Sequence, residues 1–283
     1  MILPMHSTVF MYGSCDGVFS AGMQTHYSLI LLQSSYFELL LIDIFMKTKQ
    51  IYLDDSYQKE MDAVILDVME ESEGRYRIIL DQTVFYPMGG GQATDQGILK
   101  IENSEAQVYQ VMYKDGEIWH FIKSEISPEV GQQVHGIINW DRRYKNMKIH
   151  SGGHIIDFAM HALGYSPNNL IPQKADHDKN PHIVYEGELE HNIQEELQAK
   201  TNELIEKNLE FSWYFQPLED LQKEAIYLQP GLPTSKPLRT LKLVGIGAVA
   251  DGGTQVRRTG EVESVTIKEI ESNNGNTIVR YSI

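Results

Sequence analysis

The stretch Arg142-Arg143-Tyr144-Lys145-Asn146-Met147-Lys148-Ile149-His150-Ser151-Gly152-Gly153-His154 is where the chain changes character. It follows a long run of short apolar segments broken by turn residues and opens the first sustained helical pattern. Asp141 is placed to cap a helix beginning at Arg142. Tyr144, Met147, Ile149, Ile155, Phe158, Ala159 and Ala162 then form its apolar face, and Gly164 ends it. His150 and His154 are four residues apart, so both imidazoles project from the same face. The bland reading of such a pair is two polar residues on a helix surface. The functional reading is two ligands for one metal ion. Gly152 and Gly153 lie between the histidines, and each costs a helix about 1 kcal/mol relative to alanine. Their presence suggests that something approaches the helix backbone closely there.

Working back toward the N-terminus, the segments from 46 to 140 read as strands. Met61–Met69, Arg75–Leu80, Gly97–Leu99, Ala106–Tyr113, Glu117–Lys123 and Gln133–Trp140 are short and apolar. Glu-Gly, Asn-Ser, Asp-Gly and Ser-Pro turn signals separate them. This pattern predicts a small β-barrel or sandwich. Gln50–Leu53 reads as a further short strand. Toward the C-terminus, Ser166–Pro181 reads as a loop, His182–Tyr185 as a strand and Leu189–Leu209 as a second helix. Phe211–Phe215, Arg239–Ile246, Val262–Ile270 and Thr277–Ser282 read as strands. Glu219–Glu224 reads as a short helix. The expected class is α+β: a β-barrel-like domain over 46–140, then helices packed on an antiparallel sheet over 141–283.

Composition sets bounds on partners and compartment. The chain has 283 residues, 42% hydrophobic, and a formal net charge of −15. That charge argues against non-specific coating of nucleic acid, while leaving room for a local basic patch. The single cysteine, Cys15, rules out an intramolecular disulfide and suits a reducing cytoplasm. Residues 1–45 contain no Lys or Arg, and their acids are Asp16, Glu38 and Asp43. The apolar run Tyr27–Phe45 lacks the basic start of a secretory signal, and its acids make it a poor membrane span. The expectation is that Met46 is the natural start and that 1–45 is an artefactual or dispensable extension.

Two further stretches carry chemistry. Phe85-Tyr86-Pro87-Met88-Gly89-Gly90-Gly91-Gln92 presents three bare glycine amides, suited to an oxyanion or to close approach of a ribose, or simply to a flexible hairpin. Asp251-Gly252-Gly253-Thr254-Gln255 offers a carboxylate and an amide around a glycine pair, and by itself reads as a tight turn. Thr83 is a strand threonine or a hydroxyl for a substrate contact. Arg142, Arg143, Lys145, Lys148, Arg257 and Arg258 are candidates for RNA phosphates. His161 reads as an ordinary surface histidine, and Asp176-His177-Asp178 with His182 as a metal-binding cluster or, as its loop-like surroundings favour, a solvated segment.

Taken together, these stretches resemble the free-standing alanyl-tRNA editing proteins, which are similar to the editing portion of alanyl-tRNA synthetase. The resemblance covers about residues 50–283. It rests on Tyr52-Leu53-Asp54, Phe85-Tyr86-Pro87 with Gly89-Gly90-Gly91-Gln92, then Asp95 and Gly97, His150 with His154, and Gly252-Gly253-Thr254 with Thr259-Gly260-Glu261. It implies a barrel followed by an editing domain like the second additional domain of threonyl- and alanyl-tRNA synthetases. The implied activity is hydrolysis of mischarged tRNA(Ala) carrying serine or glycine, with zinc in the site. The implied metal residues are His150, His154, Asp251 and Gln255. Thr83, Gly89, Gly90, Gly91, Gln92, Arg142, Arg143, Lys145 and Thr254 are the implied substrate and tRNA residues.

The family's usual turn reads Cys-Gly-Gly-Thr-His, and here Asp251 and Gln255 replace the thiolate and the third imidazole. Two histidines and one carboxylate form a recognised catalytic zinc set. Gln255 is then a weak oxygen ligand or an outer residue that orients the others. Losing the thiolate makes other divalent ions more competitive. The alternatives are a non-catalytic tRNA-binding paralogue and a metal-dependent hydrolase of another aminoacyl ester.

Overall fold

The computed structural model describes residues 47–283. The reading of 1–45 as a dispensable extension lies outside the described residues. In the first half, β1 (Lys49–Gln50) runs into a single helical turn, α1 (Ile51–Asp54). The predicted strand at Gln50–Leu53 is therefore mostly helical, with Ile51 and Tyr52 buried. Next come β2 (Glu60–Ser72), β3 (Arg75–Leu80), β4 (Gln82–Thr83), β5 (Gly97–Ile101), β6 (Ser104–Lys114), β7 (Glu117–Lys123) and β8 (Gln133–Ile138). Six of these close into a barrel in the order β2-β3-β7-β6-β5-β8.

Alternation puts one face of every barrel strand inside. Met61, Ala63 and Ile65 of β2 point inward, as do Ile78 and Leu80 of β3 and Ile118 and Ile122 of β7. Closure leaves no free edges, so a sheet of short strands needs no second layer.

The barrel ends at Ile138, and Asn139 caps the central helix α2 (Trp140–Ala162), accepting from the Arg142 amide at 3.1 Å. The cap is therefore Asn139 rather than Asp141, two residues earlier than predicted. Leu163 ends the helix and Gly164 follows with φ +85°. Beyond it lie β9 (Ile171–Asp176), β10 (His182–Glu186), α3 (Gln194–Glu206), β11 (Phe211–Gln216), α4 (Leu218–Leu221), β12 (Leu238–Leu243), β13 (Gly247–Ala250), β14 (Thr266–Asn273) and β15 (Asn276–Ser282). They form a four-stranded antiparallel sheet, β14-β15-β10-β9, and a three-stranded one, β11-β12-β13. The predicted loop at Ser166–Pro181 thus contains an edge strand. Its polar composition, Gln173, Lys174 and Asp176 among it, hid a segment paired on one side only. The α+β class is observed.

The core of this half joins Ile155, Phe158 and Ala159 of α2 to Tyr185, Leu197, Leu241 and Tyr281. Because α2 is buried along most of its length, its polar residues face protein and must find partners there.

Candidate metal centre

Three segments that are distant in sequence meet beside the middle of α2. His150 and His154 project from one face, their rings stacked with centroids 5.0 Å apart. Asp251, immediately after β13, reaches between them. Its Oδ1 lies 3.4 Å from His150 Nε2 and 3.4 Å from His154 Nε2. The three donor atoms all lie within 4.8 Å of one another. Ligand bonds of about 2.0–2.2 Å imply tetrahedral edges of about 3.3–3.6 Å. The two measured edges match that spacing. Both ring nitrogens of His154 are buried without a hydrogen-bond partner, so this donor set fits a divalent metal.

The surrounding residues fix each donor. Gln92 Oε1 is 2.8 Å from His150 Nδ1, so that nitrogen carries the proton and Nε2 is left as a lone pair. The same Oε1 accepts from the Thr254 amide, while Gln92 Nε2 donates to Thr254 Oγ1 at 2.8 Å. The two glycine-containing motifs are thus tied together by one amide side chain. On Asp251, Oδ2 accepts from Arg239 Nη1 at 3.2 Å and from Gln255 Nε2 at 3.0 Å. Ser151, between the histidines, donates to Gln255 Oε1 at 2.6 Å. This holds Oδ1 toward the imidazoles.

Burial and charge act against each other here. Burial disfavours the charged form of His154, but the carboxylates of Asp157 and Asp251 outweigh it and raise its pKa to about 9. Burial prevails at His150, which is held below its ordinary value despite Asp251. Asp251 is itself buried, yet the two imidazoles beside it keep its carboxyl well below the usual range.

A cavity of about 370 Å³ opens onto the triad. Its walls include Gly90, Gly91, Asp157, Lys174, His177 and Tyr227. Asp157 accepts from the Tyr185 and Tyr227 hydroxyls at 2.6 and 3.1 Å.

Several sequence expectations need correction. Gln255 does not join the donor set, since its amide oxygen takes Ser151 and its NH₂ takes Asp251. Arg143 is no phosphate contact: it is fully buried and paired with Asp95, and it also donates to Ser56 O at 2.9 Å. Thr83 is buried against the barrel interior, its hydroxyl 2.8 Å from His120 Nε2, and does not line the cavity. Gln92 and Thr254 are buried and committed to each other and to His150. Arg142 donates to Thr94 O at 2.9 Å, and Lys145 is exposed. Gly89 is exposed, while Gly90 and Gly91 line the cavity. Lys148 pairs with Glu263, and Arg257 lies 3.5 Å from Asp55. His161, half-buried, approaches Ser166 O at 3.2 Å.

The residue most clearly missed is His177. It is 3% exposed and stacks on His150 at 4.5 Å. Gly153 makes room for it, because a methyl group there would collide with the His177 ring. The close approach that the helix glycines imply is real, and the group that approaches belongs to the protein itself. Asp157 had a usable signal, lying three residues after His154 on the same helix face.

A family model described as class II (A) tRNA synthetases matches residues 43–142. The chain is 34% identical over 249 residues to the alanyl-tRNA editing protein AlaX-M of Saccharolobus solfataricus, covering 83% of this chain and 99% of that protein. It is 31% identical over 223 residues to AlaX-L of Pyrococcus horikoshii, covering 77% of this chain and 54% of that protein. It is 30% identical over 232 residues to an alanine–tRNA ligase of Halobacterium salinarum, covering 80% of this chain and 25% of the ligase. The chain belongs to the alanyl-tRNA editing protein family.

Proposed function

We propose that this protein is a trans-editing hydrolase that deacylates mischarged tRNA(Ala) carrying serine or glycine. The observation that carries this reading is the donor triad. His150 Nε2 and His154 Nε2 each lie 3.4 Å from Asp251 Oδ1, at the base of the cavity. Family membership supplies the substrate class.

His150, His154 and Asp251 would hold a divalent metal, zinc being the commonest occupant of such a set. Such an ion, when bound, supplies a Lewis acid for the ester carbonyl or lowers the pKa of an attacking water. His150, His154 and Asp251 all line the cavity, so a metal held by them would be reachable by the ester.

Arg239 and Gln255 hold Asp251 in register, and Gln92 holds the His150 tautomer, so that little reorganisation accompanies substrate entry. Exposed Gly90 offers bare backbone at the cavity wall to the terminal ribose, while Gly91 packs against Ala175 O. Lys174 at the cavity and exposed Lys145 on α2 offer cations to the acceptor phosphates. The expected compartment is the cytoplasm. Among the described residues no helix is long and apolar enough to cross a membrane.

The test is deacylation of Ser-, Gly- and Ala-tRNA(Ala) by chelated protein, with and without added zinc. The expected result is zinc-restored hydrolysis of the seryl or glycyl ester that spares the alanyl one. A second reading is motivated by Asp251 and Gln255 standing where the family has Cys and His, with Arg239 already neutralising Asp251. In it the protein binds tRNA without hydrolysing the ester. Retained tRNA binding with no deacylation under any metal would establish that reading.

A further inference from the structure

The cavity contains an imidazole to which the donor triad gives no task. His177 is the first residue after β9, and its ring forms part of the cavity wall beside His150. Its Nδ1 lies 2.6 Å from the Tyr281 hydroxyl. That hydroxyl in turn donates to Ile149 O at 2.9 Å. A phenol has one proton to give. With that proton directed to Ile149, His177 Nδ1 must be the N–H donor of its own bond. A neutral imidazole of this tautomer keeps Nε2 as a lone-pair acceptor. Among the described residues, Nε2 has no protein partner.

The ring is also held tightly. A Cβ on Gly153 would run into the ring and come within 2.9 Å of the Tyr281 hydroxyl. A Cβ on Gly91 would stand 3.1 Å from His177 Cδ2. The backbone amide of His177 donates to Gly91 O at 2.8 Å. Glycine positions on two segments, a backbone bond and a tyrosine relay therefore fix where Nε2 points.

We infer that His177 Nε2 accepts a hydrogen bond from the side-chain hydroxyl of a seryl ester held at the triad, and that His177 thereby sets the preference for a hydroxylated aminoacyl group. The inference rests on the editing reading above. The other donor on such a substrate, the cationic α-ammonium, is better matched by the buried carboxylate of Asp157 in the same cavity. A neutral acceptor suits a neutral hydroxyl. A site built around such a bond discriminates strongly, because an analogue lacking the hydroxyl leaves the acceptor unpaired. Thr83, to which the sequence reading gave this task, has its hydroxyl on His120 instead.

The test compares kcat/KM on Ser-tRNA(Ala) and Gly-tRNA(Ala) for the wild-type full chain, His177→Ala and Tyr281→Phe. The ratio of the two esters within one preparation is independent of the fraction of protein folded. The seryl-to-glycyl ratio is expected to fall at least ~10-fold in His177→Ala, beyond any loss common to both esters. Tyr281→Phe, which frees the imidazole to change tautomer, is expected to lower the ratio by less. Equal loss on both esters in His177→Ala would overturn the inference and make the ring a mere support for His150. If His177→Ala is insoluble, an unchanged ratio in Tyr281→Phe overturns it as well. A wild-type protein that hydrolyses neither ester removes the editing reading first, and with it this one.

Discussion

Helix α2 carries two buried charged clusters, two turns apart, that are built on opposite plans. At Arg143 every guanidinium nitrogen is engaged: Asp95 takes Nε and Nη2, Ser56 O takes Nη1, and Val84 O takes Nη2. Both side chains of the pair are 0% exposed. The cluster locks α2 to the loop that carries the glycine motif. At His150, His154 and Asp251 the donors converge on a common point beside a cavity, and both nitrogens of His154 are unpartnered. The first cluster spends its whole guanidinium, leaves Asp95 Oδ1 unpartnered and lines none of the cavity, whereas the second keeps its unpartnered nitrogens beside it. The difference shows how one basic-and-histidine stretch can read as a single RNA-facing motif while serving two unrelated tasks. Charge alone does not reveal function, whereas unspent hydrogen-bonding capacity next to a cavity does.

The comparison breaks most easily at Arg143. Arg143→Met leaves Asp95 buried without its cation, and removing one partner of a buried pair costs about 3–5 kcal/mol. The expected outcome is a large loss of stability in urea denaturation. A variant that stays as stable as wild type but binds tRNA weakly would reverse the assignment of the two clusters.

Asp251→Asn probes the other side. It removes the anionic donor while keeping size and the possible bonds to Arg239 and Gln255. Metal content measured after dialysis is expected to fall, with affinity reduced more than ~100-fold, beyond the range for losing an outer partner. Stability without metal should fall as well, because buried Arg239 and His154 lose their shared carboxylate. Equal metal content in wild type and variant would remove Asp251 from the donor set.

Gln255→Ala sharpens the distinction between a ligand and its orienter. Because Gln255 spends its amide on Ser151 and on Asp251 Oδ2 and orients the ligand rather than binding the ion, the expected loss of metal affinity is about 10–100-fold, smaller than for Asp251→Asn. A loss as large as that of Asp251→Asn would make the amide a ligand after all.

The smallest effect is in proton release. With its pKa raised to about 9, His154 is protonated at neutral pH in the metal-free protein. A metal ligand must be neutral, so loading expels that proton below about pH 9. Metal affinity is therefore expected to rise with pH, about tenfold per unit near neutrality, levelling off as pH passes through about 9. Calorimetric titration in buffers of differing ionisation enthalpy should count roughly one proton released per ion. Release of no proton at neutral pH would show that His154 is already neutral or is not a ligand.

How much of this was legible beforehand follows the range of the interactions involved. The barrel strands were readable because alternation is a local pattern, and Met61–Met69, Arg75–Leu80 and Glu117–Lys123 fall within or on strands of the barrel. The histidine pair was readable because i and i+4 share a helix face whatever the tertiary context. The edge strand Ile171–Asp176 was not, since a strand paired on one side needs no apolar alternation on both faces. Asn139 displaced Asp141 as the cap because both are good caps, and the end of β8 decides which one meets the helix.

By itself, the sequence determined most of the barrel strands, the α+β class, the two imidazoles on one face and the glycines that mark close packing. Only the tertiary structure decided which partners those groups meet. It put Arg143 into the core and tied Gln92 to Thr254 across 162 residues of chain. It turned Gln255 onto Asp251 and brought His177 against His150. The physical reason is that a side chain's type limits what it can bond, whereas burial and long-range packing choose the partner, and neither has a local signature.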